Sequence, residues 1–221
     1  MLRNFILFSK NIKKDSFLFN TISAIENSFQ TMVLLLVITR LAQIEDSSIF
    51  VIAYAVGNLV MTIGKYGTRN FQVTDIKEEY SFFEYIQARA VTTLLLFIAV
   101  AFYLLKGLAI DGMTLYKSGC ILLVCMLKAV DSFEDVLHGR LQQLGRLDVA
   151  TKILAVRYFV FIVLFALLYL VLQNLMAVLI VTNVVNVLLS GYLNLIPKEY
   201  YQFQRKAGKN KIALMLKEVF P

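Results

Sequence analysis

The chain has 221 residues, of which 59% are hydrophobic and only 17% charged, and its mean hydropathy is +0.71. A soluble domain is roughly 45–50% apolar, so this composition excludes an ordinary soluble enzyme or binding module. Two prolines, no tryptophan and 17 phenylalanines suit long lipid-facing helices better than a turn-rich sandwich or barrel.

Residues 1–15 read as a short basic N-terminal segment, 16–197 as a spanning unit and 198–221 as a basic amphipathic tail. Apolar runs bounded by charge predict spans near 17–40, 48–64, 86–106, 115–137, 150–172 and 174–196. The first run is interrupted by Glu26 and Asn27 and lacks a small-residue cleavage pattern, so it reads as a retained span and not a cleaved signal. Asp15 or Ser16 is expected to cap that helix, and Ser81 with Glu84 has the spacing of a capping box before the third. Pro197 discourages continuation of the sixth.

Between the second and third spans lies MTIGKYGTRNFQVTDIKEEYS, residues 61–81. Gly64 and Gly67 lack the G-x-x-x-x-G-K-[ST] spacing of a phosphate loop. They are expected to let the chain leave one helix and turn, with Asp75, Glu78 and Glu79 forming a solvated stretch. Cys120 and Cys125 fall on one span, about 140° apart around a helix, which argues against a disulfide between them. With His138 the only histidine, no metal site or cofactor is expected. In the tail, Tyr200, Tyr201, Phe203, Ile212, Leu214, Met215, Leu216, Val219 and Phe220 alternate with basic residues, the composition of an interfacial amphipathic helix.

Basic residues orient the chain, since short cytoplasmic segments retain Lys and Arg. One side collects Arg3, Lys10, Lys13 and Lys14, then Lys65, Arg69 and Lys77, then Arg140, Arg146 and Lys152, then Lys198, Arg205, Lys206, Lys209, Lys211 and Lys217. The other has Arg40, Lys106 and Lys117. Both termini are therefore expected in the cytoplasm, and the net charge of +7 needs no nucleic-acid partner.

An ionisable side chain inside a span costs roughly 2.5–3.5 kcal/mol on insertion scales and usually faces a bundle interior or a watery cavity. Glu26, Lys128, Asp131 and Arg157 lie at that depth and are the candidate substrate-binding residues. Lys128, Asp131 and Asp135 share one helix face through i,i+3 and i,i+4 spacing, expected to point inward. Lys128 and Asp131 either neutralise each other or wall a charged cavity. In that cavity Lys128 and Arg157 attract an anionic group, while Glu26 or Asp131 sets the protonation response. Gln30, Asn20, Asn27, Asn58, Asn183 and Asn186 are expected to glue helices together. Arg40 and Arg89, near span ends, are expected to snorkel.

The stretch DSFEDVLHGRLQQLGRLD, residues 131–148, gathers acids, a histidine and arginines at a membrane face. Lipid-linked phosphotransferases hold a metal between paired acids. Here Asp131, Glu134 and Asp135 precede Gly139 and Arg140 on a span and Asp148 stands apart. The compact arrangement is missing, and the chain reads as a non-enzyme.

Two connectors together resemble the polysaccharide flippases of the multidrug/oligosaccharidyl-lipid/polysaccharide exporter superfamily, in its O-antigen and capsule branch. The first carries Tyr66, Gly67, Arg69 and Gln72, similar to that branch's aromatic-Gly turn with a following Arg and Gln. The second carries Gly139, Arg140, Gly145 and Arg146, similar to its Gly-rich basic turn. The resemblance implies an all-α membrane protein in which six helices form one lobe, the N-terminal one, of an alternating-access transporter. It also implies a bacterial inner-membrane location and a polyprenyl-pyrophosphate-linked oligosaccharide as cargo. Members have two such lobes, so this chain is expected to be a half-length or truncated flippase that pairs with a second copy or a second lobe. A cation-coupled small-molecule exporter and an inactive or assembly component remain the alternatives.

Overall fold

The computed structural model describes residues 1–41, 44–201 and 212–219. The chain is helical throughout, with no strand among these residues. It runs α1 (Leu2–Leu7), α2 (Ile12–Leu41), α3 (Ile44–Lys65), α4 (Thr68–Thr74), α5 (Phe82–Ala109), α6 (Leu115–Gln143), α7 (Leu147–Leu172), α8 (Leu175–Leu195), a 3₁₀ turn (Lys198–Tyr200) and α9 (Ile212–Val219). The tail residues Phe203, Arg205, Lys206, Lys209, Lys211 and Phe220, on which part of the amphipathic-tail expectation rests, lie outside the described residues.

This is an all-α polytopic membrane protein. Five helical stretches, Ile12–Arg40, Glu45–Thr74, Phe82–Ala109, Leu147–Leu172 and Leu175–Leu195, are long and apolar enough to cross a membrane. The expected fourth span falls on α6, which matches the others in length but carries Lys128, Asp131, Glu134, Asp135 and Arg140. Its place in the bundle reconciles the two facts: α3, α5, α7 and α8 all pack around it, so its charges meet protein instead of lipid.

Local chemistry explains most boundaries. Ser81 and Glu84 form the reciprocal capping box at the start of α5, and α8 stops before Pro197. The first long helix begins earlier than expected, and neither Asp15 nor Ser16 caps it. The Asn11 carboxamide accepts from the Lys14 amide at 3.0 Å, the N-cap geometry, which frees Asp15 to pair with Lys152 at 3.1 Å. Gly67 and Gly145 do sit at turns, with φ +67° and +72°. Gly64 does not. It lies inside α3, where an added Cβ would stand 2.5 Å from Ser132 Oγ and 2.7 Å from Leu96 Cδ1, so its missing side chain lets α3 approach α5 and α6. Gly139 and Arg140 likewise belong to α6 and not to the turn that follows.

Two apolar clusters fill the bundle. One, around Leu34, Phe50, Tyr54, Ile121, Phe165 and Leu179, occupies the end away from the basic residues. The other, around Tyr85, Val136, Ile153, Leu193 and Met215, lies at the basic end. Between them runs a polar layer. The N-terminal segment meets the 3₁₀ turn after α8 at the basic end, where Arg3 reaches Glu199 at 3.5 Å and Arg146 donates to both Leu7 O (2.7 Å) and the Tyr200 hydroxyl.

Candidate functional site

The polar layer is built from α6 outward. Asp131 receives Lys128 Nζ at 3.6 Å from its own helix and Arg157 Nη2 at 2.6 Å from α7. Arg157 also places Nε 2.9 Å from Glu134 Oε2, an ion pair too bent for a hydrogen bond, and donates Nη1 to Asn186 on α8 at 3.1 Å. Glu134 is completed by Ser190 and, at 2.8 Å, by Asn194. Lys128 Nζ lies 5.1 Å from the Tyr54 ring centroid, a cation–π contact with α3. Two cations and two carboxylates thus face one another in the interior, consistent with the rule that buried charges are paired. The expected pairing of Lys128 with Asp131 exists, but Asp131 serves Arg157 at closer range.

A cavity of about 10 Å³ sits among Gln30, Tyr54, Lys128, Asp131, Arg157 and Asn186, room for a single water. Gln30 Nε2 donates to the Tyr54 hydroxyl at 3.2 Å, so one hydrogen bond between α2 and α3 forms its wall. Gln30 Oε1 is buried without a partner, an acceptor that such a water would satisfy.

Three of the four predicted residues, Lys128, Asp131 and Arg157, therefore come together, while Glu26 stands apart. It is half-buried at the middle of α2, and its Oε2 has no hydrogen-bond partner. The Gln30–Tyr54 contact fixes the level of α2 against the antiparallel α3. Counting back along α2 and forward along α3 puts Asn27 and Asn58 at nearly one depth. Both are exposed, as are Asn20 and Ser28 on α2 and Thr62 on α3. Of the amides expected to act as glue, Gln30, Asn183 and Asn186 do so, while Asn20, Asn27 and Asn58 are exposed. Asn183 donates to Leu123 O across to α6 at 3.1 Å.

A second network lies nearer the basic end. Asp135 accepts Arg89 Nη2 and Arg69 Nη1, each at 3.2 Å. Arg89 also donates to the Gly64 carbonyl, which accepts Thr92 Oγ1 at 2.8 Å as well. The expectation that Arg89 snorkels fails, because its side chain is 0% exposed. A bare carbonyl at Gly64 and a carboxylate at Asp135 give the guanidinium inward partners before it reaches the surface. The acids of the 61–81 connector form the anticipated solvated stretch in part, with Glu79 exposed and the Glu78 side chain 47% exposed, but two of them are also engaged. Asp75 accepts the Glu79 and Tyr80 amides at 2.8 and 3.1 Å, and Glu78 pairs with Arg140 at 2.6 Å. Arg69 also donates to Gln142 at 2.9 Å, and Gln72 abuts Gly139, so two of the connector's motif residues dock α4 onto α6.

Sequence reasoning missed Glu134 and Arg89 as site residues. The first was legible as one more i,i+3 step from Asp131; the second had no signal beyond a charge inside an apolar run. Among the described residues no three His, Cys, Asp or Glu side chains are placed to hold a metal. Comparisons with protein-family models, curated proteins and solved structures find no match to this chain.

Proposed function

We propose that this chain is one lobe of a flippase, its α2–α3 face lining a passage closed by a second copy or a second lobe. The cargo is a polyprenyl-pyrophosphate-linked oligosaccharide such as an O-antigen or capsule repeat unit. The observation that carries the reading is polar surface where lipid is otherwise expected. Asn27 and Asn58 are exposed at mid-depth on two membrane-crossing helices, with Glu26 beside them. Intramembrane ionisable and polar groups face a bundle interior or a watery cavity, and this face has no interior of its own lobe to turn to. In this reading the basic end is the cytoplasmic side of a bacterial inner membrane, and two lobes sit parallel about an axis along the membrane normal.

The ion cluster behind that face supplies the headgroup chemistry. Lys128 and Arg157 are held by Asp131 and Glu134 at rest. A pyrophosphate entering past Gln30 and Tyr54 competes with Asp131 for Lys128, the more loosely held of its two cations. The chain in nanodiscs, titrated with polyprenyl pyrophosphate, tests this. Lys128→Gln is expected to weaken binding at least about tenfold, the loss of one charge-assisted contact, while leaving polyprenol binding unchanged. Equal binding of polyprenol and its pyrophosphate, or no effect of the substitution, refutes the reading.

Glu26 favours a second reading, a cation-coupled exporter of small cationic compounds, because its carboxylate has no cation partner among the described residues. Proton-driven drug efflux lost in Glu26→Gln, with no binding of the polyprenyl pyrophosphate, decides for it.

A further inference from the structure

We infer that the N-terminal segment forms a binding site for an anionic phospholipid headgroup at the basic end of the bundle. This holds whether or not the chain is a flippase lobe. Helix α1 is fastened to α7 and not left free. Ser9 Oγ donates to Asp148 at 2.5 Å, and Lys152 Nζ donates to Phe8 O at 2.9 Å and Ser9 Oγ at 2.8 Å. Between the fastened segment and the start of α2 lies a pocket of about 710 Å³, walled by Phe5, Phe8 and Phe19 with Asn4 and Lys10 on its lining.

The charges at this pocket do not cancel. Asp15 also lines it but is taken by Lys152. Arg3 is engaged by Glu199. Lys10, on the lining, is exposed and no ion pair among the described residues includes it; Lys13 and Lys14 follow in the first turn of α2, exposed and off the lining. Around the lysines, Met1, Phe8 and Phe17 present apolar side chains 111%, 73% and 77% exposed. Basic groups interleaved with exposed aromatics are what binds the headgroup and acyl boundary of an anionic leaflet. The aromatic walls favour a lipid over free phosphate, which gains nothing from apolar contact.

The full chain in mixed micelles, titrated with phosphatidylglycerol or phosphatidylcholine and read by native mass spectrometry, tests the site. Phosphatidylglycerol is expected to be retained preferentially. Lys10→Gln should lower its apparent affinity about fivefold at low salt, and Lys13→Gln and Lys14→Gln, which lie off the lining, by less. These side chains are exposed, so the variants keep the fold. Arg40→Gln with Lys106→Gln, at the other end of the bundle, is expected to leave the preference intact. No preference for the anionic lipid, an equal loss in the Arg40/Lys106 variant, or displacement by millimolar inorganic phosphate overturns the inference.

Discussion

Replacing Arg157 with Met removes the cation shared by Asp131 and Glu134 while roughly preserving side-chain length. Arg157 is 2% exposed, and its partners are 9% and 3% exposed. The cavity beside it holds about 10 Å³, so one water at most can replace the guanidinium. Asp131 keeps Lys128 at 3.6 Å, but Glu134 keeps only the neutral donors Ser190 and Asn194. Removing one partner of a buried pair costs about 3–5 kcal/mol, because the other charge is left uncompensated. Adding Glu134→Gln to Arg157→Met removes that charge, and the new amide oxygen still accepts from Ser190 and Asn194; about 1–2 kcal/mol should return, within the range of coupled neighbours. Equilibrium unfolding by detergent titration, followed by far-ultraviolet circular dichroism, measures both variants. A cost for Arg157→Met below about 1 kcal/mol, or a double variant no more stable than the single one, refutes the account of a dry, charge-balanced cluster.

Gly64→Val should destabilise by about 1–3 kcal/mol through overpacking, since even a Cβ meets Ser132 and Leu96 inside van der Waals contact; an unfolding midpoint equal to that of the parent contradicts the close-approach role. At the basic end, burial, reinforced by a hydrogen bond to Glu218, pushes the Tyr80 phenol from 10.0 up to about 12. A raised pKa in the fold means that this contribution is complete below pH 10 and is lost as pH rises through about 12. Tyrosinate absorbance should show one fewer late-titrating group in Tyr80→Phe than in the parent, and one group moved earlier in Glu218→Gln; an unchanged titration in both variants contradicts it.

The site was legible where its partners share a helix. Lys128, Asp131 and Asp135 announce themselves by spacing, because a helix repeats every 3.6 residues and stacks such positions on one face. Arg89 was misjudged for the opposite reason. Its position near a span end permits either snorkelling or an inward turn, and only the Gly64 carbonyl and Asp135, supplied by two other helices, decide between them. Glu26 was expected beside the cluster on depth alone. Depth is a coordinate along the helix, whereas company depends on rotation about it.

By itself the sequence determined the all-α membrane class, the positions of the long helices, the Ser81–Glu84 cap and the concentration of basic residues between alternate runs. Each follows from hydrophobic run length, local capping or charge counts, which are properties of contiguous residues. The tertiary structure alone decided that the most charged long helix, α6, stands at the centre. It also decided that Asp131 is shared between Lys128 and Arg157, and that Asn27 and Asn58 face outward at one level. Those facts depend on which helix surfaces meet and in what register, a choice made by packing between segments far apart in the chain.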